Sequence, residues 1–203
     1  MLMKLPGPLT VDQDKQLRTV QTNARHLLAL INDLLDVAKI EAGKAELNIE
    51  AVDCGQVVEE AAATLHQHAE AKGLQLIIDL PDHPVVLQTD KRALSQIVLN
   101  LLGNAIKFTE AGRVRLTLSS TQGDGESTTR IDVVDTGVGI SEEDQARLFG
   151  AFSRVGTPHA KAAEGTGLGL HLSQKLATML NGRILFDSQY GVGSIFTLAL
   201  PLD

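Results

Sequence analysis

Two asparagines and a lysine on one predicted helix are the first residues whose types and spacing could do chemistry. Asn100 and Asn104 are four residues apart and Lys107 follows one turn later, so a helix would place all three on one face. An amide oxygen is a suitable ligand for Mg²⁺, and a lysine ammonium is a point charge that suits phosphate. Taken alone, the cluster is equally consistent with two structural asparagines and a solvated lysine.

A glycine-containing segment follows the apolar strand predicted at 131–134. Its sequence is Asp135-Thr-Gly137-Val-Gly139-Ile140. A carboxylate at the end of a strand can accept a hydrogen bond from an exocyclic amine, and glycines let the backbone approach a flat ring. An ordinary Asp/Gly turn is the alternative interpretation.

A second glycine-rich segment, Gly165-Thr-Gly167-Leu-Gly169-Leu170, precedes a predicted helix. Free backbone N–H groups at a helix N-terminus favour a phosphate group. The segment lacks the spacing of a dinucleotide-binding fingerprint and the GKS/GKT ending of a Walker loop. A flexible hinge ahead of the helix is the alternative.

The elements that must position these residues are mixed helices and strands after Gly43. We predict helices at 56–72, 90–108, 141–149 and 168–180, and strands at 46–52, 74–80, 113–119, 130–134, 183–187 and 194–200. Several strands follow one another without a crossover helix. This order favours a mixed α/β sandwich over a doubly wound parallel sheet.

A long helix is predicted ahead of this region, because residues 10–42 contain neither Gly nor Pro. Thr10 and Gln13 form a capping-box start, and Gly43 is a natural stop. Its apolar residues are spaced alternately three and four apart, as in a coiled-coil seam: Leu17, Val20, Ala24, Leu27, Ile31, Leu34 and Ala38. We expect this seam to bury against a partner.

The composition of the 203-residue chain excludes several classes of function. Its net charge of −7, with five Phe, one Tyr and no Trp, argues against binding nucleic acid. The single cysteine, Cys54, excludes an intramolecular disulfide framework and a Cys-rich zinc site. No apolar run approaches the ~20 residues that span a bilayer. We expect a cytoplasmic fragment without membrane contact, from a parent protein that a membrane could anchor.

The order and spacing of the three motifs resemble the ATP-binding catalytic domain of sensor histidine kinases. Phe149 and Phe152 between the second and third motifs, and the closing Gly193-Ser194-Ile-Phe, belong to the same pattern. The resemblance covers about 46–201 and implies an α+β class: a two-layer α/β sandwich of the Bergerat type, with helices on one face of a mixed sheet. Type II topoisomerases, mismatch-repair proteins and ninety-kilodalton heat-shock chaperones share this ATPase class.

Residues 27–43 are similar to the second helix of a histidine-kinase dimerisation hairpin, which those other relatives lack. We therefore predict a partial dimerisation and phosphotransfer segment at 1–43 and the ATP-binding catalytic domain at 44–203. None of the six histidines lies in the family's phosphoacceptor motif, His-Glu/Asp-x-x-x-x-Pro. The chain is thus expected to lack its phosphoacceptor helix.

The resemblance implies ATP and Mg²⁺ as cofactors and assigns roles to particular residues. Asp135 would bind the adenine amino group, Phe108 would flank the base, and Ser194 would bridge to Asp135 through water. Asn104 would hold Mg²⁺ with support from Asn100. The catalytic set would be Asn100, Lys107 and Arg154, and the other nucleotide contacts would come from Gly137, Gly139, Ile140, Gly165, Thr166, Gly167, Leu168, Gly169 and Leu170.

The function implied is transfer of the ATP γ-phosphoryl group to a histidine, for relay to the aspartate of a response-regulator receiver domain. The intact protein would be a homodimer through the hairpin helix, and residues 150–165 would form a lid that is disordered without nucleotide. Asn100 stands where hydrolysing relatives carry a glutamate, and an amide cannot act as a base at neutral pH. Two alternatives stay open: a catalytically silent dimer scaffold, and an ATPase or anti-sigma serine kinase.

Overall fold

The computed structural model describes residues 7, 9–121, 128–153 and 167–201. The chain divides into two compact units, Met1–Lys44 and Ala45–Asp203. Among the helices in this described part, none combines the length and the apolarity that crossing a membrane requires.

The first unit contains helix α1, Val11–Glu41. The predicted capping box is confirmed, because the Thr10 hydroxyl accepts from the Gln13 N–H and the Gln13 side chain accepts from the Thr10 N–H. The predicted stop at Gly43 is also confirmed. Gly43 has a φ of +64°, and the N–H of Lys44 donates back to the Lys39 carbonyl at 2.9 Å, which is the Schellman pattern.

The second unit carries the remaining elements. They are β1 (Glu50–Asp53), α2 (Cys54–Ala71), β2 (Gln75–Asp79), β3 (Val86–Thr89), α3 (Lys91–Phe108), β4 (Arg113–Thr121), β5 (Thr128–Asp135), α4 (Glu142–Gln145), α5 (Gly169–Met179), β6 (Arg183–Gln189) and β7 (Gly193–Pro201).

The described strands form two sheets. The larger has five strands in the order β2-β4-β5-β7-β6, and the smaller pairs β1 with β3. In the larger sheet β2 runs parallel to β4, and the other pairs are antiparallel. The predicted mixed sheet is confirmed, with β5 at its centre.

The core lies between one face of this sheet and the three long helices of the unit. Alternate residues of β4 and β5 are buried, whereas those between them are more exposed, as expected for a sheet covered on one face. The five α3 residues predicted to point inward are at most 1% exposed: Leu94, Ile97, Val98, Leu101 and Leu102. The predicted α+β sandwich with helices on one face is therefore confirmed.

Several predicted boundaries were wrong, and the hydrogen bonds of the structure give the reasons. The strand predicted at 46–52 begins only at Glu50, because its partner β3 is short and the Asn48 N–H instead donates to Asp90. Strand β3 was not predicted. The helix predicted at 141–149 ends at Gln145, since the N–H groups of Arg147 and Leu148 bond three residues back and form turns.

Candidate functional site

Helix α3 positions the first motif. The helix begins at the N-cap Asp90, whose carboxylate accepts from the Ala93 N–H at 2.8 Å. Asn100 and Asn104 share a face as predicted, with the Asn104 amide nitrogen 3.5 Å from the Asn100 amide oxygen. Both side chains are half-buried.

Asn100 joins the first motif to the second glycine-rich segment. Its amide nitrogen donates to the Ser173 hydroxyl of α5 at 2.8 Å. Gly169, the first residue of α5, lies so close that a Cβ there would overlap the Asn100 amide oxygen. The fold therefore brings the asparagine face of α3 against the beginning of α5.

Asp135 ends the central strand β5 and is buried, with 7% of its surface exposed. Burial raises the pKa of its carboxyl group, and hydrogen bonds from the backbone of Gly137 and Ser194 oppose that shift. The Gly137 N–H donates to the carboxylate at 2.8 Å. A buried acceptor is thus held at the end of β5, as a ligand amine would require.

The segment from Thr136 to Ile140 lies between the end of α3 and the turn from β6 to β7. The Val138 N–H donates to the Phe108 carbonyl at 3.3 Å, and the Val138 carbonyl accepts from Gly191 at 2.7 Å. Gly139 has a φ of +63°, and a Cβ there would overlap the Gln189 carbonyl. This glycine is required both for its backbone conformation and for the close approach.

Two residues that hold this segment were missed by the sequence analysis. The Ser188 hydroxyl accepts from the Ile140 N–H at 2.8 Å. The Gln145 side-chain nitrogen donates to the carbonyls of Ile140 and Ser188, both at 3.0 Å. Ser188 is 48 residues from Ile140 and 43 residues from Gln145, so no local pattern indicates that these residues meet.

Ser194 lies opposite Asp135 in the register of β5 and β7. Its hydroxyl is 2.9 Å from that of Ser188. Gly193, next to it, has a φ of +140°, and a Cβ there would overlap the Asp135 carbonyl. The contact that β7 makes with the buried carboxylate is the hydrogen bond from the Ser194 backbone, and the water bridge from Ser194 to Asp135 stays a prediction.

The last turn of α3 presents a cation and an aromatic ring side by side. The Lys107 ammonium lies 4.7 Å from the centroid of the Phe108 ring, within the range of a cation–π contact. Both residues are half-buried. The arrangement combines a positive charge with a flat apolar surface at the edge that Asp135 and Val138 also border.

The second glycine-rich segment is described from Gly167 onward. Gly167 has a φ of +70° and packs against the backbone of Phe152 and Ser153. Leu168 is buried in the core, so it could contribute to a ligand site through its backbone. In the described residues no side chain caps the N-terminus of α5. Arg154, Gly165, Thr166 and the predicted lid beyond Ser153 lie outside the described residues.

The donor chemistry of the site fits a hard cation. Within the described part of the chain, no group of three or more His, Cys, Asp or Glu side chains could hold a metal ion. The α3 face instead offers the amide oxygen of Asn104. A single protein oxygen suits Mg²⁺, which usually keeps several waters and binds together with substrate phosphates.

A protein-family model described as histidine kinase-, DNA gyrase B- and HSP90-like ATPase matches residues 89–203. The chain is 41% identical to the non-motile and phage-resistance protein of Caulobacter vibrioides, over 100% of this chain and 24% of that protein. It is 38% identical to the circadian input-output histidine kinase CikA of Synechococcus elongatus, over 96% of this chain and 26% of CikA.

The chain is also similar to solved structures, including that of a histidine kinase. Full-length ShkA in complex with AMPPNP superimposes with a TM-score of 0.80 and 32% identity, over 98% of this chain and 40% of ShkA. The histidine kinase AdeS of Acinetobacter baumannii gives a TM-score of 0.73 and 27% identity, over 92% of this chain and 84% of that chain. The chain spans about a quarter of the length of the two curated relatives above.

Proposed function

The chain belongs to the family of histidine kinase-, DNA gyrase B- and HSP90-like ATPases, and we propose that it binds MgATP and transfers the γ-phosphoryl group to a histidine. The domain type predicted from the sequence, the ATPase domain of a histidine kinase, is confirmed. The roles of individual residues, the metal, the acceptor and the protein partners are proposals.

The observation that carries the proposal is the buried Asp135 carboxylate at the edge of a segment that borders Phe108. An adenine amino group donates hydrogen bonds, so it can pair with this carboxylate. Phe108 would flank the base, and Gly137, Gly139 and Ile140 would shape its pocket. The complex of the relative ShkA with AMPPNP, an ATP analogue, supports the same class of ligand.

Asn104 would hold Mg²⁺ through its amide oxygen, and the ion would neutralise charge on the phosphates. Lys107 and Arg154 would supply further positive charge. The backbone N–H groups of the second glycine-rich segment would bind phosphate oxygens: Gly165, Thr166, Gly167, Leu168, Gly169 and Leu170.

The position of Asn100 favours transfer over hydrolysis. Its amide is bonded to Ser173 and lies beside Asn104, and an amide cannot remove a proton from water at neutral pH. In the proposed step an imidazole nitrogen attacks the γ-phosphorus, and the bond from that phosphorus to the bridging oxygen of ADP breaks. The imidazole proton passes to solvent, and ADP leaves with both electrons of the broken bond.

Helix α1 would supply the dimer contact, because its apolar seam is open to solvent in the single chain. The phosphoryl group would then pass from the histidine to the aspartate of a response-regulator receiver domain. These partners are the ones that the resemblance to sensor histidine kinases implies, and this chain spans about a quarter of the length of the two relatives named above.

Transfer to a supplied acceptor tests the proposal. The chain is incubated with ATP labelled in the γ-phosphate, Mg²⁺ and a two-helix hairpin that carries the phosphoacceptor motif of a related histidine kinase. We expect acid-labile, alkali-stable label on the hairpin with the unmodified chain and with the control Asp187→Asn, an exposed carboxylate on β6. Asp135→Asn should give none.

Two other outcomes would replace the proposal with one of the alternatives. Steady release of inorganic phosphate without labelled hairpin would favour an ATPase. Binding of ATP with neither transfer nor hydrolysis would favour a catalytically silent scaffold.

A further inference from the structure

The C-terminal end of α3 is held by a lysine of the neighbouring helix. The Lys72 ammonium, at the C-cap of α2, donates to the carbonyls of Ile106 at 2.8 Å, Lys107 at 2.7 Å and Thr109 at 3.1 Å. The last carbonyls of a helix have no partner within the helix and carry its partial negative charge. A single ammonium can satisfy three such acceptors at once.

The remaining carbonyls of this helix end also have partners. The Ala105 carbonyl accepts from the N–H and the hydroxyl of Thr109, and the Phe108 carbonyl accepts from the Val138 N–H. Lys72 therefore completes the hydrogen bonding of the turn, with its carbonyl acceptors on both sides of Phe108. Ile106 and Thr109 are buried, so loss of the ammonium would leave polar atoms with little access to water.

This turn carries the side chains that the proposed function places against the nucleotide. Lys107 and Phe108 are its last helical residues, and Asn104 lies one turn earlier. The Phe108 carbonyl also anchors the segment that follows Asp135, through Val138. If this turn frays, the Lys107 ammonium, the Phe108 ring and the segment that follows Asp135 are no longer held in fixed positions relative to one another.

From this geometry we infer that Lys72 is a positioning residue for the nucleotide site. It acts through the last turn of α3 and does not itself belong to the set of residues assigned to ATP. The inference rests on the proposed function, since it concerns affinity at that site. It identifies a determinant of affinity on α2, an element from which no nucleotide contact is proposed.

The chain offers a matched control for a purely structural role. Lys91, at the beginning of α3, also joins α2 to α3, because its ammonium lies 2.9 Å from the Glu60 carboxylate. Lys72 and Lys91 thus tie the same two helices with the same functional group at opposite ends of α3. Lys91→Met therefore tests whether loss of a lysine between these two helices is enough to change nucleotide affinity when the last turn of α3 keeps its own partners.

The test compares Lys72→Met, Lys72→Arg and Lys91→Met with the unmodified chain. Dissociation constants for MgADP are measured by calorimetry at a temperature where each variant is folded. Hydrogen exchange of the Val138 and Thr109 amides is followed without nucleotide. We expect Lys72→Met to weaken binding about tenfold, as loss of a residue that orients a ligand-binding group commonly does, and to speed both exchange rates.

Lys72→Arg should restore most of the affinity, because a guanidinium also donates several charged hydrogen bonds. Lys91→Met should leave affinity and both exchange rates unchanged. If Lys72→Met does not fold, Lys72→Gln takes its place, since its amide donates two hydrogen bonds without a charge, and a smaller loss of affinity is expected.

Three results would overturn the inference. They are unchanged affinity in a folded Lys72→Met chain, an equal loss in Lys91→Met, and no recovery in Lys72→Arg. These leave the proposed function intact, provided that the unmodified chain binds MgADP. Failure of the folded, unmodified chain to bind would instead overturn the proposed function, and the inference with it.

Discussion

The ionised carboxylate of Asp135 is needed for the proposed binding of adenine, but it lowers the stability of the fold. Burial raises the pKa of its carboxyl group, so the folded state binds a proton more tightly than the unfolded state does. The contribution of this proton binding to the free energy of unfolding is fully present below the pKa that Asp135 has in the unfolded chain. It is lost as the pH rises through the pKa that Asp135 has in the folded chain. At neutral pH the ionised carboxylate therefore lowers the free energy of unfolding.

We expect Asp135→Asn to be at least as stable as the unmodified chain at pH 7 without nucleotide. The asparagine oxygen can still accept from the Gly137 N–H, and no charge is buried. The advantage of the variant should shrink as the pH falls towards the unfolded pKa of an aspartate. Thermal unfolding across this pH range checks the expectation, and a strongly destabilised variant at pH 7 would contradict it.

The pKa of Asp90 is shifted in the opposite direction to that of Asp135. Burial alone would raise its pKa, but hydrogen bonds, led by those from the Ala93 and Asn48 backbone, lower it below its ordinary value. Its two carboxylate oxygens accept from these two N–H groups, each at 2.8 Å. The group thus stabilises the fold above its unfolded pKa, and that contribution is lost as the pH falls through its folded pKa.

Substitutions of Asp90 should lower the free energy of unfolding according to how many hydrogen bonds each one removes. Asp90→Ala removes the α3 cap and leaves the Asn48 N–H unpaired, which together cost about 2–3 kcal/mol at pH 7. Asp90→Asn keeps one acceptor and should lose less. Chemical denaturation measures both losses, which should diminish in acid, and equal stability of all three chains at pH 7 would exclude this role.

At the scale of elements, the segment from Thr136 to Ile140 depends on close backbone approach. Gly139→Ala would place a Cβ against the Gln189 carbonyl at a φ of +63°. Gly191→Ala, on the adjoining turn, imposes a similar conformation at +80° but meets nothing within 4 Å. Comparison of the two variants therefore separates the effect of backbone strain, which both carry, from displacement of the segment from Thr136 to Ile140, which only Gly139→Ala causes.

We expect Gly191→Ala to cost about 1–2 kcal/mol of stability, which is the usual cost of a left-handed conformation, with little change in ATP affinity. Gly139→Ala should cost more and should also weaken ATP binding, because it displaces the segment beside Asp135. Unfolding curves and calorimetric titrations of both variants measure these effects. Equal behaviour of the two would show that the close approach does not matter for the site.

The sequence predicted the elements whose signals are local. Each of these signals lies within a short stretch of sequence. They are the apolar periodicity of α3, the helix caps at Thr10 and Gly43, and the three motifs. Strand β3 was missed because a run of four residues between a loop and the N-cap of α3 carries little pattern. Ser188, Gln145 and Lys72 were missed as supporting residues because each contacts a segment more than 30 residues away.

The motifs indicated which residues share a site but not how they are held. Asn100 was predicted to support the metal, and the structure shows its amide bonded to Ser173. Gly169 was predicted as a phosphate contact, and its missing side chain makes room for Asn100. Such packing depends on how α3 meets α5, which no local spacing encodes.

At the scale of the whole molecule, α1 carries an exposed apolar surface, which we propose pairs with a second copy of the chain. Six of its large apolar residues have exposed fractions between 46% and 63%: Val20, Leu27, Leu28, Ile31, Leu34 and Leu35. Full burial of one such side chain contributes about 1.5–3 kcal/mol. Pairing of two copies along this seam would therefore be favourable.

We expect the chain to self-associate as its concentration rises. The double substitution Leu27→Glu and Leu34→Glu should make it monomeric without changing ATP affinity, since the proposed site lies wholly in the second unit. Sedimentation velocity at several concentrations measures the association. A monomer at every concentration for the unmodified chain would contradict the proposed dimer contact.

Titration of MgATP into the unmodified chain and into Asp135→Asn tests the central claim most directly. We predict saturable binding by the unmodified chain and by the control Asp187→Asn. The Asp135→Asn chain should bind at least about tenfold more weakly, because a charge-assisted hydrogen bond is lost and its amide can place a donor against the adenine amine. Equal affinity of the two chains, or no binding by the folded unmodified chain, would contradict the account.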